Sequence, residues 1–289
     1  MHAPFVRLLA IPAVTLLAAC SGSKAASAAA APAPKAAAAA AVPAAPKMFR
    51  YAPSASQYRF TSAAKGSQSM MGQSQDFETS AMRLVSITVA QATGDTLSLG
   101  IVLDSVSIVG PMGMAPPGMD KLNGAKFSAK VSPTGMVYSV SGPSETDLPM
   151  AAALTDEMGR TLPRIKANLV AGATWTDTVS DKPKQNGMSL DRQIISHFTV
   201  VGDSTVGGEA AWKITRESTT SASGAGAPQG QNVVLESTGT GKSTILISKR
   251  GVLLGGESEE QSVAKVTMTA NSMEIGIKST TTTKVLKVK

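Results

Sequence analysis

From about residue 48 onward, apolar and polar residues alternate in short runs, the period-two pattern of strands with one buried face. The runs that read as strands are Gln57–Ala63, Arg83–Ala90, Thr96–Leu103, Lys126–Val131, Met136–Ser141, Gln193–Val201, Ala210–Arg216, Val233–Thr238, Thr244–Ser248, Val263–Ala270 and Met273–Ser279. Ile245 and Ile247 alternate cleanly; Val263, Val266 and Met268 do so with one slip in register. Gly94-Asp95, Pro133-Thr134-Gly135, Gly202-Asp203, Gly207-Gly208 and Arg250-Gly251 lie between runs and suit tight hairpins. Long βαβ crossovers are missing, which argues against a parallel sheet. One stretch, Pro149–Met158, has a helical period instead. Met150, Leu154 and Met158 share a face at i, i+4 and i+8. Asp147 suits the N-cap, Pro149 the first turn, and Gly159 the end of that helix. The expected fold is mainly β: one long antiparallel sheet, curved or forming an incomplete barrel, with a single packed helix.

Before residue 48 the texture changes. Residues 21–47 are almost all alanine and proline with a little serine and lysine, and Pro32, Pro34, Pro43 and Pro46 break the alanine run on both sides. Nothing there can bury a core, so the stretch reads as a disordered, semi-extended tether. At about 3 Å per residue it reaches several tens of ångströms. Residues 48–289 suffice for one sizeable domain. Aromatics make up only 4% of the chain, so its core must be built from aliphatics and methionine.

The first residues fit a secretory signal: Arg7 supplies the positive start and Leu8 to Leu17 a short apolar run. That run is about half of the roughly 20 residues that a bilayer-crossing helix needs. It ends in Leu17-Ala18-Ala19-Cys20, followed by Ser21-Gly22-Ser23, and Cys20 is the only cysteine. An internal disulfide framework is thereby excluded. The run resembles the lipobox of bacterial lipoproteins. The resemblance implies removal of residues 1–19, a diacylglyceryl group on the Cys20 sulfur and further acylation, palmitate for example. The protein's partner is then a membrane, reached through that anchor. Stable anchoring takes at least two chains. Ser21 in place of aspartate directs the expectation to the outer membrane, facing the periplasm.

Candidate chemistry is sparse. Gly239-Thr240-Gly241-Lys242-Ser243-Thr244 looks like the end of a phosphate-binding loop, but Glu236 stands where the consensus needs glycine, and a β-type run follows instead of a helix. A glycine-rich hairpin turn with an exposed lysine is the expectation. His197, the only histidine after residue 2, sits in a strand-like run with no identifiable nucleophile and cannot build a histidine-rich metal site. Glu257, Glu259 and Glu260, and Asp147, Asp156 and Glu157, lack any calcium-loop or other recognisable spacing and read as solvated turn and helix-end charges. Trp175 and Trp212 read as core anchors early in strands. No catalytic residue, metal or cofactor is therefore expected. The net charge is +7, and residues 1–19 contribute only Arg7 to it. Lys278, Lys284, Lys287 and Lys289 suit an exposed edge strand kept from pairing, or attraction to anionic envelope polymers. Nucleic acid is not an expected partner.

The loop Pro111–Met119 packs Met112, Met114 and Met119 among prolines. Methionine is an adaptable apolar filler, so the loop reads first as a plain apolar cap on one end of the sheet; the second reading makes these three, with the helix face Met150/Leu154/Met158, a candidate lid over an apolar ligand. Copper would be the alternative occupant of such thioethers, but no histidine or cysteine completes a site. The folded part also resembles a family of bacterial envelope proteins of unassigned activity. The resemblance rests on Tyr58-Arg59-Phe60, Leu162-Pro163, Gly172-Ala173-Thr174-Trp175, Gly202-Asp203 and Trp212. More distantly, a curved sheet with one helix is similar to the lipoprotein-carrier fold. The expected function is non-enzymatic binding of an apolar or envelope ligand. The alternative is a structural or interaction module.

Overall fold

The computed structural model describes residues 48–289 apart from 111–112, 114–117, 145–150, 167, 186–187, 228–230 and 270–272. Cys20, the tether, Met112, Met114, Asp147, Pro149 and Met150 lie outside the described residues. Twelve strands follow in order: β1 Ser54–Met70, β2 Gln73–Gln91, β3 Leu97–Val109, β4 Lys126–Val131, β5 Val137–Ser141, β6 Thr174–Asp181, β7 Lys184–Gln185, β8 Met188–Val206, β9 Glu209–Gly226, β10 Val233–Ser248, β11 Leu253–Met268 and β12 Met273–Lys287. Between β5 and β6 comes the one α-helix found among the described residues, α1 Ala151–Gly159, as its period required. All strands join one antiparallel sheet in the order β5-β4-β3-β2-β1-β12-β11-β10-β9-β8-β6, with β7 paired to β8. The terminal strands of that path, β5 and β6, do not pair, so the sheet is not closed.

Several strands run far beyond the segments their periodicity marked. The added lengths, such as Ala64–Met70 and Glu217–Gly226, are mostly serine, threonine, glycine and alanine with little apolar alternation, so the period-two signal fades while the ladder continues. Gly239–Ser243 is no hairpin turn: it lies inside β10, bonded to β9 and β11 on both sides. Gly202-Asp203 is likewise no turn; a bulge between Val200 and Gly202 bends β8 there, and the turn falls at Gly207-Gly208. Glu257, Glu259 and Glu260 sit within β11, not at a turn. The C-terminal lysines are not on an edge, because β12 is sandwiched between β1 and β11. The chain's first and last strands close on one another, a pairing that no local pattern encodes.

The main core lies at one end of the inner face. Val85, Leu97, Leu99, Ile101, Leu103, Val131, Val200, Ile214 and Ile247 are buried there. Each contributes about 1.5–3 kcal/mol by its removal from water. Tyr58 Oη donates to Leu253 O at 2.8 Å and Tyr51 Oη to Pro163 O at 2.7 Å, so neither buried phenol is orphaned. Burial raises the pKa of both. The helix packs against β4 and β5 on one side and β7 on the other, spanning the gap in the sheet. Gly159 lets it approach Val140 more closely than a Cβ would permit. Its polar side is held by ion pairs. Arg83 of β2 forms a two-pronged pair with Glu157, with Nη1 to Oε2 at 2.8 Å. Asp156 accepts from Arg192 of β8 at 2.9 Å and from Arg160, and Asp181 of β6 accepts from Arg192 and Arg160. These carboxylates are structural partners, not solvated helix-end charges.

Candidate binding face

Because side chains alternate along a strand, the residues two, four and six positions beyond the core share its face. Past the core that face carries two polar cross-strand rows. One runs Phe198, Arg216, Ser243, Ser258, Thr283, Ser62 across β8, β9, β10, β11, β12 and β1. The next runs Ser196, Ser218, Gly241, Glu260, Thr281, Ala64. Farther on, Leu190, Gly224, Leu235, Val266, Ile275 and Met70 form an apolar row, and Met188, Gly226, Val233, Met268 and Met273 form the last.

The distal rows gather into a second apolar cluster: Met188, Leu190, Val233 and Leu235 are buried, with Ala264, Val266 and Met268 packed beside them. Gly224 makes this close approach feasible, since a Cβ there would run into the Ser189 carbonyl and Leu190. Five methionines thus meet at one end of the sheet: Met70, Met71, Met188, Met268 and Met273. Met71 is 80% exposed at the tip of the β1–β2 hairpin. It takes φ 52° beside Gly72 at φ 77°, the left-handed pair of a type I′ turn, where asparagine or glycine is the usual choice.

The polar belt between the two apolar clusters holds three anomalies. Arg216 is buried, at 8% exposure. The only side-chain hydrogen bond found for it among the described residues runs from Nε to Ser196 Oγ at 3.1 Å. Its guanidinium lies 5.7 Å from the Phe198 ring centre, and Phe198 stacks on Trp175 at 4.7 Å. Burial lowers its pKa to about 10, with Glu260 and Asp177 opposing through space; it stays a cation at neutral pH. Ser243 Oγ and Thr283 Oγ1, in the same row, are buried without a hydrogen-bond partner. Buried polar groups are nearly always satisfied, so such orphans call for a physical cause.

The opposite face of the sheet is hydroxyl-rich and charged. A hollow of about 580 Å³ crosses it, lined by Lys65, Asp76, Thr238, Thr240, Gln261, Lys278 and Thr280 among others. A second of about 250 Å³, lined by His197, Glu217, Lys242 and Glu259, shares Thr240 and Gln261 with it. His197 is a strand residue whose Nδ1 lies 2.9 Å from Thr176 Oγ1.

Of the predicted lid, Met119, Leu154 and Met158 come together as packed members of the main core. Trp175 and Trp212 are half-buried against that core, and Lys249 Nζ lies 2.9 Å from the Trp212 ring centre. Periodicity missed the distal methionines. Their only signal is position: Met70-Met71-Gly72 and Met268 to Met273 flank hairpin tips.

A scan against protein-family models and a comparison with characterised proteins found no match. Among solved structures, a porin variant from Rh. blastica is similar at 9% identity and TM-score 0.28, over 81% of this chain and all of that one. A DUF1329 family protein from Desulfovibrio piger is similar at 12% identity and TM-score 0.17, over 78% of this chain and 84% of that one. The Pseudomonas aeruginosa protein OccK2, solved with glucuronate, is similar at 8% identity and TM-score 0.23, over 81% of this chain and 98% of that one. Superpositions this weak carry no argument about this chain.

Proposed function

We propose that this chain is a cell-envelope protein, held by lipid on Cys20 to the outer membrane, whose β-domain binds an apolar or other envelope ligand on its inner face without converting it. The observation that carries the reading is the excess of inner face. Strands of 15 to 19 residues continue past a complete core to a second apolar cluster rimmed by methionine. Methionine's flexibility suits a surface that adapts to its ligand. Met119, Leu154 and Met158 close the helix end of that face, beside Met112, Met114 and Met150 in the chain. The lipobox-like run and the tether support the proposed location.

Two measurements test it. A fluorescent naphthylamine probe added to the full chain carrying Cys20→Ser should brighten saturably, and Leu235→Asp should weaken that uptake. No saturable uptake would replace this reading with an interaction module without a small-molecule site, which the filled packing around α1 favours. In cells, Cys20→Ser should move the protein from membrane to soluble fractions; unchanged membrane association would refute the anchor.

A further inference from the structure

The row through Arg216 carries three features that the fold does not need. A buried cation without a carboxylate in contact is costly. No ion pair of Arg216 was found among the described residues, and the charges of Glu260, in the next row of the same face, and of Asp177 act on it in favour of its cationic form. Asp177 already serves Arg164 at 3.0 Å and Lys166 at 2.7 Å. Ser243, directly paired with Arg216 across β9 and β10, is 2% exposed and its Oγ has no partner. Thr283, two strands farther along the same row, also has an unpartnered hydroxyl oxygen. Three groups that can each donate a hydrogen bond therefore face the same side of the sheet in one line.

We propose that this row is an anion site, in which Arg216, Ser243 and Thr283 receive the carboxylate or phosphate head of an amphiphile whose chain runs along the strands toward Leu235. The inference rests on the inner-face binding reading above and specifies the ligand's chemistry. An oxyanion is acceptor-only, so it satisfies a guanidinium and two hydroxyls at once; a neutral alcohol does so poorly. From Ser243 to Leu235 is eight residues of one strand, about 27 Å at roughly 3.4 Å per residue. That exceeds the chain of one bilayer leaflet, about half of a roughly 30 Å hydrocarbon core. The floor between them is small: Gly239 and Gly241 on β10, Ala222 and Gly224 on β9. An extended chain can lie on such a floor without displacing large side chains.

The test uses the full chain carrying Cys20→Ser, read by tryptophan emission. Trp175 reports because it stacks on Phe198, beneath the Arg216 guanidinium. Oleate should shift the emission saturably and bind at least about ten-fold more tightly than oleyl alcohol, the worth of a charge-assisted hydrogen bond. Inorganic phosphate alone should bind far more weakly than oleate. Arg216→Gln should abolish the preference for oleate while leaving oleyl alcohol binding in place. Ser243→Ala, which removes an orphan and should fold normally, should weaken oleate several-fold with an unchanged melting curve. Equal affinity for oleate and oleyl alcohol, or a preference unchanged in both variants, overturns the anion site. Phosphate binding as tightly as oleate overturns the amphiphile. Naphthylamine uptake without an oleate preference sinks this inference alone; loss of both sinks the parent reading too.

Discussion

Ser243 is the residue at which the fold and the proposed ligand would make different demands. Removing an unpartnered hydroxyl loses no hydrogen bond, so Ser243→Ala should leave unfolding free energy within about 0.5 kcal/mol by denaturant titration. A loss well above that would mean that the hydroxyl has a structural partner. Gly224 makes the opposite demand. Any Cβ there meets the Ser189 backbone, which cannot yield as a side chain could. Gly224→Ala should therefore cost about 1–3 kcal/mol, although alanine ordinarily fits a strand better than glycine. A neutral result would show that β8 and β9 separate freely at that point. Lys242 shows how far a local motif can mislead. Its neighbours spell the end of a phosphate loop, yet the segment is mid-strand and the side chain projects from the polar outer face. Lys242→Ala should change stability by no more than about 0.5 kcal/mol, and ATP binding that this variant abolishes would contradict the strand assignment's consequence.

At the scale of elements, α1 is the tie across the unclosed edge, and its ion pairs give it a pH signature. Desolvation would raise the Asp181 pKa, but hydrogen bonds and charge from Arg192 and Arg160 outweigh it and hold the carboxyl below its ordinary value. A carboxyl depressed in the folded state contributes stability above its unfolded value, near about 3.9, and loses it as pH falls through the lower folded value. Stability should accordingly fall more steeply below about pH 4 in the native chain than in Asp181→Asn, as measured by melting temperature against pH. Parallel curves would show that the network contributes nothing. This helix was legible in the sequence because Leu154 and Met158 lie on a stripe that the core enforces. The strands were legible only where one face is aliphatic. Thr215–Ser223 and Thr280–Thr283 put hydroxyls on both faces, so periodicity has nothing to report there, and hydrogen-bonded neighbours alone define the strand. The Gly239–Ser243 segment was misread for the same reason: glycines that signal a turn locally are, inside a sheet, where small residues make a floor.

For the whole molecule, pairing of β1 with β12 joins the ends of the domain, and the inner face that results was not legible at all. Arg216, Ser243 and Thr283 are far apart in the chain and share one row only through three ladders. Methionines at separate hairpin tips gather at one end by the same means. In the proposed binding protein it is the distal end of this face, not the helix end, that would take up the ligand. NMR of methionine methyl groups, in the full chain carrying Cys20→Ser and titrated with the naphthylamine probe, reads this directly. The Met188 and Met268 methyls should shift saturably while those of Met119 and Met158, packed in the core, stay in place. Shifts confined to Met119 and Met158, or no saturable shift at any methionine, would contradict it.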